Sequence, residues 1–391
     1  MRDVYVLTVA QALSASGMMT MTLLGGILGS QFAPSPGLAT LPVSCTIIGL
    51  ALSTIPAAMI MQRIGRRRAF IASALLAACA AGTVAWAIIQ RDFVLLCAAA
   101  LVLGSNLAFQ LQHRFAAAEC VPSARVSQAV SLVMVGTLVA AAVGPQLALA
   151  LKDLVPGHEY AGSFIGVAAL CVGTALVLTA FREPAGRLTH SVEGAMRPLR
   201  EVLAQPAYLT AVLGGVVSYA AMSFIMTATP ISMHVHDHHS DTSTAWVIQS
   251  HLLAMYAPSL VSGRLIGRIG ARAGMTAGMC LMLVCIAIAS AGHDLMHYWW
   301  GLVALGVGWN LMFVAATALL TTTYRPPERF RAQALNEFAV FGSQAAASLL
   351  AGPAIHALGW RELNLLALIP LVLLAAALLQ PLLQRSKNSR A

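Results

Sequence analysis

Between Met222 and Met255 the sequence gathers sulfur and imidazole at helical spacing. Met222 and Met226 stand four residues apart, and so do His251 and Met255. A four-residue step returns to the same helix face, so each pair presents its two side chains together. Between the pairs runs Met233-His234-Val-His236-Asp-His238-His239, followed by a short polar turn. Thioether and imidazole are donors that suit monovalent copper, and nitrogen-rich sets suit the divalent ion. The pattern points to a copper path in two stages. Met233, His234, His236, His238 and His239 would capture the ion, and Met222, Met226, His251 and Met255 would hold it deeper. A plainer reading competes at each point. Methionine is an ordinary packing residue, and the chain has 17. The loop histidines also fit a solvated turn. A histidine well inside an apolar helix is harder to dismiss, because burying an imidazole carries a desolvation cost.

The elements that would position these residues follow from composition. Of 391 residues, 59% are hydrophobic and 9% charged, against roughly 25% charged in a soluble domain. Such a chain cannot coat a water-facing surface, so most of its surface must face lipid. The net charge of +9 does not point to nucleic acid, because the basic residues sit in short loops between apolar runs. The seven cysteines form no Cys-x-x-Cys pair, which argues against a disulfide framework or a zinc knuckle. A signal-like Ala12-Leu-Ser-Ala15-Ser stretch lies inside an apolar run reaching Gly29, and therefore reads as a first membrane helix.

Apolar runs long enough to cross a bilayer fall near 4–30, 37–61, 69–90, 93–117, 127–151 and 161–181, then 207–233, 244–266, 273–292, 296–322, 332–355 and 361–383. The expected fold is all-α, with twelve transmembrane helices in two pseudo-symmetric six-helix bundles. The expected domains are residues 1–181 and 207–391, joined by a basic cytoplasmic linker at 182–206. With both termini cytoplasmic, nineteen of the 23 Lys and Arg fall on the cytoplasmic side and three outside, with Arg114 left within a helix. That asymmetry orients the chain in a bacterial inner membrane and turns the histidine loop outward. At about 1.5 Å per residue, Met226 and His251 would lie roughly 10 Å below the outer surface, and Met222 and Met255 roughly 16 Å.

The halves also repeat. Arg63 and Gly65 map onto Arg268 and Gly270 with one offset of 205, Gly104-Ser-Asn106 is echoed by Gly308-Trp-Asn310, and Gly144-Pro145 by Gly352-Pro353. Such repeats are a mark of transporters.

Over nearly its whole length the sequence resembles the major facilitator superfamily. The superfamily's loop pattern Gly-x-x-x-Asp-Arg-x-Gly-Arg-Arg is met at Arg63, Gly65, Arg66 and Arg67, while Ala58 and Gln62 stand at its Gly and Asp positions. The resemblance implies that these residues, with Arg268 and Gly270, form gating loops. Met226-Thr-Ala-Thr-Pro230, Val247 to Ser259 and Arg331 to Gly342 further resemble the CcoA-type copper importers. That likeness implies copper import for assembly of haem–copper oxidases. Relatives of that subfamily resemble riboflavin transporters, so fold alone does not decide the substrate.

Gln110 and Arg114 lie on the fourth helix and are expected in the central cavity, where a membrane arginine contacts substrate or a coupling acid, or else snorkels to the rim. Glu119 is expected to cap the cytoplasmic end near Arg125, and Asn336 and Glu337 to meet Arg329 and Arg331. The resulting expectation is a monomeric copper importer working by alternating access, with copper as substrate, the bilayer as surroundings and no cofactor. The competing expectation is an organic-solute carrier, flavin-like or drug-exporting, in which Arg114 and cavity aromatics matter. A third, a membrane enzyme or metal-handing chaperone, finds no nucleophile–base set or phosphate loop to support it.

Overall fold

Backbone N–H and C=O groups find no water in hydrocarbon, so a chain this apolar must satisfy them within helices. The computed structural model describes residues 1–122, 125–183 and 197–388. Among the described residues the regular elements are helices, in the order α1 (Arg2–Phe32), α2 (Leu41–Ile64), α3 (Arg66–Gln90), α4 (Phe93–Gln110), α5 (His113–Glu119), α6 (Val126–Ala150) and α7 (Ala161–Thr179). There follow α8 (Leu199–Leu203), α9 (Pro206–Pro230), α10 (Asp241–Tyr256), α11 (Ser259–Ile269), α12 (Ala271–Ala291), α13 (Leu295–Thr321), α14 (Arg329–Leu358), α15 (Trp360–Leu366) and α16 (Leu368–Asn388). Most of the expected linker, 184–196 with Arg187, lies outside the described residues.

Among the described residues, eleven helices or helix runs are long and apolar enough to cross a membrane. Their outer faces carry Leu52, Ile55, Trp86, Leu176, Leu260 and Val372, each more than half exposed, as a lipid-facing surface requires. The eighth expected span, 244–266, is present but broken into α10 and α11. Pro258 has no N–H to continue the helical ladder. At this joint the carbonyl of Met255 accepts a hydrogen bond from Asn310 Nδ2 at 2.8 Å, and the same amide donates to Ser259 Oγ at 2.6 Å. The fourth span is likewise divided, by a turn at Leu111 and Gln112 between α4 and α5.

The sequence repeat is visible in the backbone. Gly65 closes α2 and opens α3 at φ 83°, ψ 157°, and Gly270 does the same between α11 and α12 at φ 87°, ψ 155°. This region is essentially restricted to glycine. Each glycine N–H bonds the carbonyl four residues back, Met61 and Ile266, which are also 205 apart.

The two halves meet along α2 with α14 and along α6 with α10. On α2, Ser44 Oγ lies 2.8 Å from Ser348 Oγ, and Thr40 Oγ1 donates to the Ser348 carbonyl at 3.3 Å. Between α6 and α10, Gln146 Nε2 donates to Gln249 Oε1 at 2.9 Å. Ser44 and Gln249 are separated by 205 residues, so the repeat that built the helices also built the two seams. At the same end, Lys152 and Tyr160 reach Asp241 at 3.0 and 2.9 Å.

Candidate functional site

A cavity lies between the halves, and helical periodicity explains its lining. On α9, Tyr219, Met222, Ser223 and Met226 fall at steps of three and four and so share one face. That face turns to the cavity, joined by Leu252, Met255 and Tyr256 of α10. Met18 and Met19 of α1, Trp309 of α13, and Phe341 and Gln344 of α14 complete the walls that matter here.

Four rings form a continuous aromatic wall. Tyr219 sits edge-to-face with Trp309 at 5.2 Å between centroids and with Phe341 at 5.7 Å, and Tyr256 meets Trp309 at 6.1 Å. Behind Trp309, Phe313 stacks at 5.3 Å with the planes 14° apart, which fixes the indole orientation. Such contacts contribute about 0.5–1.5 kcal/mol each beyond their buried area. Two polar atoms in this wall, Trp309 Nε1 and Gln344 Oε1, are buried without a hydrogen-bond partner. Leaving such a group unpaired costs about 1–3 kcal/mol.

The three methionines at the expected ligand positions line this cavity, but His251 does not. Its ring is fully buried against α13, with Nδ1 2.8 Å from the Leu302 carbonyl oxygen, so that nitrogen carries the proton. The close passage of the two helices is permitted by Gly306, where a Cβ would stand 2.7 Å from the His251 carbonyl.

The loop histidines are dispersed rather than convergent. Met233 is fully buried. His234 and His236 lie in a π-helical turn, Ile231–His236, that continues α9. His234 Nδ1 is 3.2 Å from the His239 carbonyl and 3.1 Å from Asp241 Oδ1. His239 Nε2 reaches the His293 carbonyl at 3.0 Å, and His238 takes a positive φ of 55°. Among the described residues, no group of three or more His, Cys, Asp and Glu is arranged to hold a metal ion.

The other expected residues are also located. Gln110 donates to Ser14 within the first half, at 2.8 Å to Oγ, and is not part of the cavity wall. Arg114 lies outside the wall as well. Its guanidinium covers Phe115 at 4.8 Å, its Nε is buried without a partner, and its charge interacts with Glu337 of α14. Of the expected gating residues, Arg66 pairs with Glu119 at 2.8 Å, and Arg67 bonds the Thr179 carbonyl. Both contacts lie within the first half. Glu183 caps α3 by accepting from the Arg66 N–H at 3.0 Å. Arg63 closes α2 just before Gly65, and Arg268 closes α11 just before Gly270.

A comparison with known families decides what kind of chain this is. The sequence description of the Major Facilitator Superfamily matches residues 7–216 and again 211–390. The chain belongs to the Major Facilitator Superfamily. It is therefore a membrane transporter and not an enzyme. It is 41% identical to the riboflavin transporter RfnT of Brucella anthropi over 100% of this chain and 97% of that one. It is 28% identical to the uncharacterized MFS-type transporter YdeG of Bacillus subtilis, over 95% and 91%. In three dimensions it resembles a bacterial homologue of the human lysosomal transporter Spinster, in an inward-facing, unoccupied conformation, with a TM-score of 0.76 over 96% of this chain and 95% of that one, at 14% identity.

These findings overturn copper import. A relative 41% identical along its full length is a riboflavin transporter. The physical reason the sequence pattern misled is that a four-residue step fixes a shared face, not what that face meets. Met222, Met226 and Met255 face the cavity as soft, apolar walls beside aromatic rings, while His251 lies away from it, with Nδ1 bonded to the Leu302 carbonyl and Nε2 buried without a partner. The sequence reading passed over Tyr219, Trp309 and Phe341 as individual site residues. The available signal was Tyr219, three residues before Met222 on the same face, and Trp309 between the repeated Gly308 and Asn310.

Proposed function

We propose that this chain carries riboflavin, or a solute with a similar flat aromatic ring system, across the bacterial cytoplasmic membrane by alternating access. The observation that carries this reading is the wall of Tyr219, Tyr256, Trp309 and Phe341 around a cavity between the halves. Flat rings gain dispersion and edge-to-face contacts there, and the flexible thioethers of Met222, Met226 and Met255 fill the remaining contour. Small-molecule sites are mostly apolar with a few placed polar groups, as this one is. Likeness to a riboflavin transporter over the full length supports the same substrate class. The charge distribution supports an orientation with both termini cytoplasmic and Lys152, Tyr160 and Asp241 at the outer end. The polar seams at that end belong, in this orientation, to a conformation closed toward the outside.

The test is uptake of labelled riboflavin by cells that lack their own importer. Expression of the chain is expected to produce saturable accumulation, and Trp309→Ala to lower it at least fivefold. No accumulation, with the protein present in the membrane, sinks the proposal.

A further inference from the structure

Two residues of the wall carry polar atoms for which the protein supplies no partner. Trp309 Nε1 and Gln344 Oε1 both belong to residues lining the cavity, on α13 and α14, and both atoms are buried without a partner. An indole N–H only donates, so it calls for an acceptor on the solute. A primary amide offers an acceptor and two donors, so Gln344 is suited to accept from an N–H of the solute and to donate beside it. Neither atom is engaged within the protein, whereas Thr227 Oγ1 donates to Ser348 Oγ at 3.3 Å and the Asn310 Nδ2 group is taken by Met255 and Ser259.

We propose that Trp309 and Gln344 are the specificity-determining pair of the cavity, and that they select flat heteroaromatic solutes whose ring edge carries a carbonyl acceptor next to an imide N–H. The proposal rests on the flavin-like reading above and deepens it. A pyrimidinedione ring presents this edge: carbonyl oxygens flanking one N–H. Tyr219 and Phe341 hold the faces of the ring system, and Trp309 and Gln344 read its rim. A purely hydrocarbon ring would stack equally well and leave both polar atoms unpaired, which is how the site rejects it.

The experiment is competition against labelled riboflavin in proteoliposomes, using unlabelled riboflavin and its N3-methyl derivative, in which the imide N–H is replaced. In the unaltered protein the methyl compound is expected to compete about tenfold less well, the effect of losing one buried hydrogen bond. Gln344→Leu is expected to bring the two compounds to within about twofold of one another. Trp309→Phe, which keeps the ring and removes the donor, is expected to weaken both by a similar factor and preserve their ratio. Equal competition by the two compounds in the unaltered protein would overturn the inference while riboflavin transport stood. Discrimination that survives intact in Gln344→Leu would overturn it equally, since the methyl group would then be excluded elsewhere. Failure of the unaltered protein to take up riboflavin at all would overturn the proposed substrate and this inference together.

Discussion

Lys152 Nζ of the first half lies 3.0 Å from Asp241 Oδ2 of the second, and the Tyr160 hydroxyl donates to that same oxygen at 2.9 Å. One carboxylate oxygen thus holds two groups from the opposite half. Hydrogen bonds to Asp241 and Glu159 keep the Lys152 ammonium above its ordinary range, outweighing the opposing effect of burial.

Removing Asp241 should therefore loosen this end more than removing Lys152. A partly exposed ion pair contributes about 0.2–1 kcal/mol, and the Tyr160 bond adds about 1 kcal/mol. Spin labels at the exposed positions 153 and 294, clear of both seams, report the separation. The expected order of the closed fraction is unaltered protein, then Lys152→Met, then Asp241→Ala. Because the Lys152 pKa is raised, its contribution is present through neutral pH and is lost only as pH climbs past the ordinary lysine range. A closed fraction unchanged in Asp241→Ala would show that the helix seams alone hold this end.

Arg197 and Glu328 make a second test, at the other boundary of the chain's second half. Arg197 donates to both Glu328 oxygens, at 2.9 Å from Nε and 2.7 Å from Nη2, and the backbone N–H groups of Arg197 and Arg325 add bonds at 2.9 and 2.8 Å. The Arg197 guanidinium holds the Glu328 carboxyl down to about 2. A lowered carboxyl pKa contributes stability above its unfolded value, near 4.5, and the contribution disappears as pH falls toward about 2. Thermal melts in detergent should therefore converge for the unaltered protein and Glu328→Gln as pH drops through that window. A constant gap between them would refute the link.

Gly65 and Gly270 share one backbone conformation but not one environment. A Cβ at Gly65 would sit 2.8 Å from Glu183 Oε2, whereas at Gly270 nothing lies within 4 Å. Backbone strain should cost both alanine variants about 1–3 kcal/mol. Gly65→Ala is expected to lose more, because it also disturbs the carboxylate that caps α3. Melting temperatures in detergent decide this, and an equal loss at the two sites would contradict it.

Met222→Leu and Met226→Leu keep volume and apolarity while removing sulfur. Such swaps generally cost less than about 1.5 kcal/mol. Riboflavin uptake is expected to stay within threefold of the unaltered protein, and Tyr219→Ala to fall well below it. Loss of uptake in Met226→Leu alone would restore a special role to the thioether.

The fold was legible because lipid imposes one rule on every segment: long apolar runs, basic turns between them, and a repeat offset of 205 that recurs in Gly65 and Gly270 and in their hydrogen bonds. The broken eighth helix was half legible, since Pro258 was in view but not read as an interruption. The site was legible as a region, for Met222, Met226 and Met255 do line the cavity. Its chemistry was not. Spacing along one helix says nothing of the neighbouring helix, and it was α13 that engaged His251 Nδ1 through the Leu302 carbonyl and brought Trp309 to the wall. Rings scattered over four helices leave no local pattern, so a contiguous Met and His motif outweighed them.

The interruption at Pro258 has a mechanical consequence. Where α10 gives way to α11, Pro258 interrupts the helical ladder, and the Asn310 amide, bonded to Met255 and Ser259, supplements the turn bonds that remain. Met255 and Tyr256 stand immediately on one side of that joint and touch the cavity. A solute pressing on them bears directly on that joint, and Asn310, which stands outside the wall, ties the joint to α13.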